Sequence, residues 1–162
     1  MNFLSFSGVV TMISDFWLGA NDDGGGCYQL FSVDNGSGSL VNFVVSPDTY
    51  FVDHSMISIG DKVTGFYDAD APAPLIFPPQ YRAIVMVKEE PNQNVKVSFF
   101  NNQLVSSDGS LKLNLSPNTP ILLENGQLFT RFPANRNLIV TYGATTRSIP
   151  AQTTPFEIIV IC

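Results

Sequence analysis

Positive charge is scarce in this chain: 162 residues carry 8 Lys and Arg against 14 Asp and Glu, a net charge of -6. That balance opposes the counterion release that drives binding to phosphate backbones, so nucleic acid is not an expected partner. Cysteine is nearly absent. Cys27 and Cys162 cannot frame a disulfide-stapled small protein; free thiols are expected, and a bridge between the two stays open. No run approaches the roughly 18 apolar residues that cross a bilayer, and residues 1–10 lack the basic start and continuous apolar stretch of a secretory leader. The expectation is a cytoplasmic chain without membrane contact. Helical periodicity is missing as well, because Gly, Pro or β-branched clusters interrupt every window of about a dozen residues.

What is present is apolar and aromatic. The hydrophobic fraction is 44% and Phe occurs 13 times, the composition of a packed globule rather than a disordered tail. Strand signals fall at residues 3–13, 27–33, 40–45, 50–52, 62–67 and 82–88, then at 95–99, 103–105, 111–115, 121–123, 137–142 and 156–161. Between them stand residues that tolerate positive φ: 21–26, 35–38, Asn101-Asn102, Asp108-Gly109 and Asn125-Gly126. Many short strands with such punctuation predict an all-β barrel or sandwich. The one charged, apolar-poor stretch with a proline, residues 88–94, divides the chain into expected units 1–90 and 95–162.

The halves resemble each other. Residues 41–49 (VNFVVSPDT) match 111–119 (LKLNLSPNT) at an offset of 70, while 62–67 match 137–142 and 81–86 match 156–161 at an offset of 75. The change of 5 places an insertion between Thr119 and Asn137, in a loop that absorbs it at little entropic cost. Each half has a long first strand, a hairpin and a crossover into a closing pair, which predicts two tandem, related OB-fold-like small barrels. A single β-sandwich or barrel with internal duplication is the rival. The second half alone has little core material, so packing of the units into one rigid body is expected.

The segment 65–81 (GFYDADAPAPLIFPPQY), together with 147–155 (RSIPAQTTP), resembles an uncharacterised family of anaerobic Gram-positive bacterial proteins, and the resemblance extends over nearly the whole chain. It implies no activity, ligand or functional residue, only that the two Pro-rich loops are a signature.

Residues 68–81 form the most unusual segment, with four prolines within eight positions. Prolines stiffen a protruding loop and lower its ordering cost on binding, so a recognition surface is one reading. A cover over an open barrel end and a strand edge is the other. The residues that would meet a ligand are Tyr67, Asp68, Asp70, Phe77, Tyr81 and Arg82. Asp68 and Asp70 would share a side of an extended segment, but two carboxylates are too few for a metal site, and a turn before proline explains them more simply.

His54 beside Asp53 suggests a catalytic pair, yet neighbours on a strand point to opposite faces and no nucleophile motif accompanies them; a loop histidine is expected. Gly24-Gly25-Gly26 lacks the Lys-Ser/Thr of a phosphate loop and reads as a hairpin tip. Arg131, Arg136 and Arg147 with Phe132 could make a small base-stacking patch, against which the overall acidity argues. Trp17 is expected in the core, with an exposed anchor as the alternative. The combined expectation is a non-enzymatic binding or interaction module without cofactor or metal, taking an unknown small ligand, peptide or protein. The alternative is a structural or homo-oligomerising β protein, and an enzyme ranks last.

Overall fold

Alternating and doubly apolar runs separated by Asn, Gly and Pro become thirteen strands in the computed structural model, which describes residues 1–17 and 25–162. The chain divides into two units, Met1–Glu89 and Glu90–Cys162, at the charged stretch marked out by composition. Each has its own apolar core. Among the described residues no helix is long and apolar enough to cross a membrane.

The first unit contains β1 (Phe3–Asp15), β2 (Gln29–Asp34), β3 (Leu40–Val45), β4 (Tyr50–Phe51), β5 (Lys62–Asp68), β6 (Gln80–Arg82) and β7 (Val85–Lys88). They form one sheet in the order β4-β7-β5-β1-β2-β3-β6. β1 pairs with β5 through Phe3–Val9 and with β2 from Val9 to Asp15, and a bulge between Val10 and Met12 bends it between the two partners. β6 runs parallel to β3, and β4 parallel to β7. Among the described residues strand pairing does not close a barrel. Instead the chain crosses from one end of the sheet towards the other within two residues: Ala83 N–H donates to Val44 O on β3 at 3.0 Å, and Ile84 N–H to Phe66 O on β5 at 2.8 Å. The stretch 82–88, expected as one strand, is therefore two.

Val10, Val33, Phe43, Val63 and Met86 are fully buried in this core. Gly65 has a packing reason, since a Cβ there would lie 2.5 Å from the Phe43 ring. Gly8 has a similar one, because its Cβ would meet the Asp34 carbonyl oxygen at 2.2 Å.

The second unit contains β8 (Asn94–Phe100), β9 (Leu111–Leu113), β10 (Ile121–Leu123), β11 (Arg136–Tyr142), β12 (Ala151–Thr153) and β13 (Glu157–Ile161). Its sheets are β10-β13-β11-β8 and β12-β9. The pairings parallel those of the first unit: β8 with β11 as β1 with β5, β13 with β11 as β7 with β5, and the parallel pairs β10–β13 and β12–β9 as β4–β7 and β6–β3. In place of β2 stand two isolated bridges, Phe100–Ser106 and Val105–Lys112. The turns agree too. Thr49 Oγ1 accepts from Ser46 N–H at 3.0 Å and Thr119 Oγ1 from Ser116 N–H at 3.1 Å.

Register corrects part of the sequence alignment. Phe66 pairs with Val85 and Thr141 with Glu157, so β5 and β11 differ by 75 (141 − 66) while β7 and β13 differ by 72 (157 − 85). The offset of 75 for the last strand slid it by three residues, because both strands are apolar on both faces and periodicity there gives no register. The expected strand at 103–105 is a turn: Asn101 Oδ1 accepts from Gln103 and Val105 N–H, and Leu104 has φ 58°. A side-chain acceptor has replaced the ladder there. β12 escaped notice because Pro150 and Pro155 enclose it. Trp17 is 67% exposed, not a core residue. It lies over Gly25, whose Cβ would stand 3.2 Å from the indole. Of the glycine tip, Gly25 and Gly26 take positive φ, and residues 21–24 lie outside the described residues.

Candidate functional site: the proline-rich loop of the first unit

The loop from the end of β5 to the start of β6 is tied down at both ends. At its start Asp68 Oδ1 accepts the Asn2 N–H at 3.1 Å and the Asp70 N–H at 3.0 Å. Those two backbone donors, Asn2 first, hold the Asp68 carboxyl below its ordinary range. Asp68 therefore makes a turn rather than a ligand pair with Asp70, which sits exposed in the bend. The idea of two carboxylates on one side of an extended segment fails because the strand ends at Asp68. Among the described residues no group of three His, Cys, Asp or Glu stands close enough to hold a metal ion.

The two ends of the loop meet in an aromatic stack. Tyr67 on β5 and Tyr81 on β6 have ring centroids 4.0 Å apart and planes 3° from parallel, and Tyr67 also tilts against Phe43 at 6.3 Å. Both tyrosines pack on the core. Burial pushes the Tyr67 phenol above its usual value, and the neighbouring Tyr81 hydroxyl adds to the effect. Arg82 reaches Asp48 at 4.0 Å with both side chains well exposed, a contact of little energetic weight.

Between these anchors the chain is exposed. Leu75 is fully open, Ile76 about half, and Phe77 is 87% exposed. A covering loop would turn its apolar side chains inward, whereas here they face solvent. Behind the loop lies a recess of about 160 Å³ lined by Met1, Asp68, Pro72, Tyr81, Arg82 and Ile84. Of the six residues expected from sequence, the structure thus brings Asp68, Tyr81 and Arg82 to one recess, leaves Phe77 and Asp70 outside it, and packs Tyr67 behind Tyr81. Sequence reasoning passed over Leu75 and Ile76. The available signal was an apolar triplet flanked on both sides by proline, where no strand pattern accounts for it.

The corresponding loop of the second unit precedes β12 and also ends in an exposed apolar residue before proline: Ile149 is 97% exposed. Phe77–Pro78 and Ile149–Pro150 are both cis peptide bonds. The loop is shaped by Thr146 and Ser148, whose hydroxyls lie 2.7 Å apart, with Ser148 donating to Pro150 O at 2.8 Å.

The remaining expectations are placed as follows. Asp53 and His54 lie not on a strand but in a 3-10 turn, Val52–His54, with φ of 59° and 50°. Consecutive left-handed residues of this kind store on the order of 1–2 kcal/mol each. Arg136 stacks over Phe129 at 4.7 Å rather than joining Phe132, which is exposed. Cys27 and Cys162 are both free and exposed.

Comparison with protein-family models, with curated proteins and with solved structures finds no match to this chain.

Proposed function

We propose that the chain is a non-enzymatic interaction module that offers the Leu75-Ile76-Phe77 tip of its Pro-rich loop to an apolar cleft on a partner protein. The observation that carries this reading is the exposure of three consecutive large apolar side chains on a loop anchored by the Asp68 turn and the Tyr67–Tyr81 stack. Such a triplet has no role in the core. Covering it returns about 1.5–3 kcal/mol per fully buried side chain, and prolines at 72, 74, 78 and 79 lower the ordering cost of binding. Ile149 on the matching loop supports the same use in the second unit.

The repeated pairings and turns further support reading the units as copies of one OB-type ancestor, with β6 and β7 together acting as the closing strand. The resemblance to a Gram-positive family carries no activity and adds nothing to the functional reading. The test is a variant with Leu75→Ser, Ile76→Ser and Phe77→Ser, compared with Leu128→Ser, another exposed apolar change. The triple variant should keep its fold and lose partner capture at least tenfold, while the Leu128 variant keeps both. Equal capture by both variants would refute the proposal.

A second reading, self-association, has its own support. Residues 3–8 of β1 have a partner strand on one side only among the described residues, and residues 1–14 contain no charged side chain. An uncharged open edge invites a second strand. The counterpart β8 carries Lys96, which is ion-paired with Asp108. Light scattering of the wild type and of Ser5→Lys tests it: a dimer that the lysine splits is expected, and a wild-type monomer contradicts it.

A further inference from the structure

A second concavity lies in the first unit, lined by residues of β1, β2, β4 and the segment that follows the 3-10 turn, and it has a volume of about 500 Å³. Phe31 and Ile57 are buried and make its floor, and Phe51 is half-buried at its side. The rings of Phe31 and Phe51 stand 6.3 Å apart and inclined by 59°, in contact with each other, so a planar molecule in the recess packs against this tilted pair. His54 and Met56 form the rim, Met56 being 83% exposed. The left-handed backbone at Asp53 and His54 turns the chain sharply here, and the His54 imidazole rests edge-on against Tyr50 at 6.4 Å.

We infer that this recess binds a small, neutral aromatic or heteroaromatic molecule. The size suits one such ligand. Among the described residues no Asp, Glu, Lys or Arg lines it, so nothing there offsets the desolvation of a charged ligand, and a neutral one is favoured. Gln29, His54 and Ser55 supply the few hydrogen-bonding groups that orient a ring substituent. Met56, unbranched and polarisable, closes over rings of different outline. The site shares no residue with the Pro-rich loop, and its function does not depend on that loop.

The probe is N-phenyl-1-naphthylamine, neutral and aromatic, titrated into the full chain and followed by its fluorescence, with methyl chemical shifts to locate it. One saturable site is expected, with shifts confined to Ile13, Met56 and Ile57. Met56→Asp should weaken binding at least tenfold without changing the melting temperature, since the side chain is exposed, and Phe77→Ser should leave binding unchanged. Absence of saturation, shifts centred on Leu75 and Ile76, or unaltered affinity in Met56→Asp would each overturn the assignment.

Discussion

Tyr67 and Tyr81 lie face to face at 4.0 Å, one the penultimate residue of β5 and the other on β6, so the stack joins the two ends of the Pro-rich loop to the core. Tyr67→Ala and Tyr81→Ala should each cost about 2 kcal/mol, the burial of half an aromatic ring plus its ring contact. A double-mutant cycle by urea unfolding should show a coupling of about 1 kcal/mol. Additive losses would mean the rings act independently.

The same pair gives an alkaline signature. The Tyr67 phenol is raised above 10.0 in the fold, so its favourable contribution is complete below the unfolded value and disappears as pH rises past it. Stability of the wild type should fall above pH ~10 more steeply than that of Tyr67→Phe. Identical slopes would show the phenol to be as solvated as in the unfolded chain.

Asp108 predicts the acid limb. Partial burial alone would raise its carboxyl, but hydrogen bonds from Lys96, Ser106 and Ser110 prevail and hold it well below the usual range. The folded value is depressed, so the contribution is present above the unfolded value of 3.8 and is lost as pH falls below it. Asp108→Asn should be less stable at neutral pH and lose less stability between pH ~4 and ~2 than the wild type, measured by thermal melts across that range.

The shared turn allows a comparison between the units. Thr49 Oγ1 accepts from Ser46 and also donates to Ala83 O at 2.8 Å in a buried setting, whereas Thr119 has the Ser116 bond and is only half-buried. Thr49→Val should therefore cost about 1–3 kcal/mol and Thr119→Val less, by chemical denaturation. A reversed order would refute the stated roles.

Gly65→Ala should destabilise by about 1–3 kcal/mol, the usual penalty of overpacking, because its Cβ would press on a Phe43 ring that is itself fully buried. A neutral outcome would show that the core around Phe43 yields.

How much of this was legible in the sequence depends on how each segment signals. Alternating β3, bounded by Asn35-Gly36 and Ser46-Pro47, was readable to the residue at 40–45, and the two units divide between Glu89 and Glu90, where charge replaces apolar residues. β7 and β13 were visible as strands, yet their register was not, since side chains apolar on both faces carry no phase. Short-range side-chain bonds misled as well: Asn101 turned an expected strand into a turn, and Asp68 made a turn of the segment on which it and Asp70 were expected to share a side. At the candidate site, the prolines marked the loop correctly. Whether Tyr81 or Phe77 would face solvent depends on pairing with β3, a contact far along the chain that no local pattern encodes.

The most direct measurement places a photoreactive benzoylphenylalanine at position 77, where 87% exposure leaves room for it without disturbing the core. Irradiated in cells that make the protein, it should form a saturable adduct with one partner protein, suppressed by excess unlabelled chain and not by the triple serine variant. Adducts only to residues of its own unit, such as Met1 or Ile84, would show that the loop folds down as a cover and would contradict its role as a recognition tip.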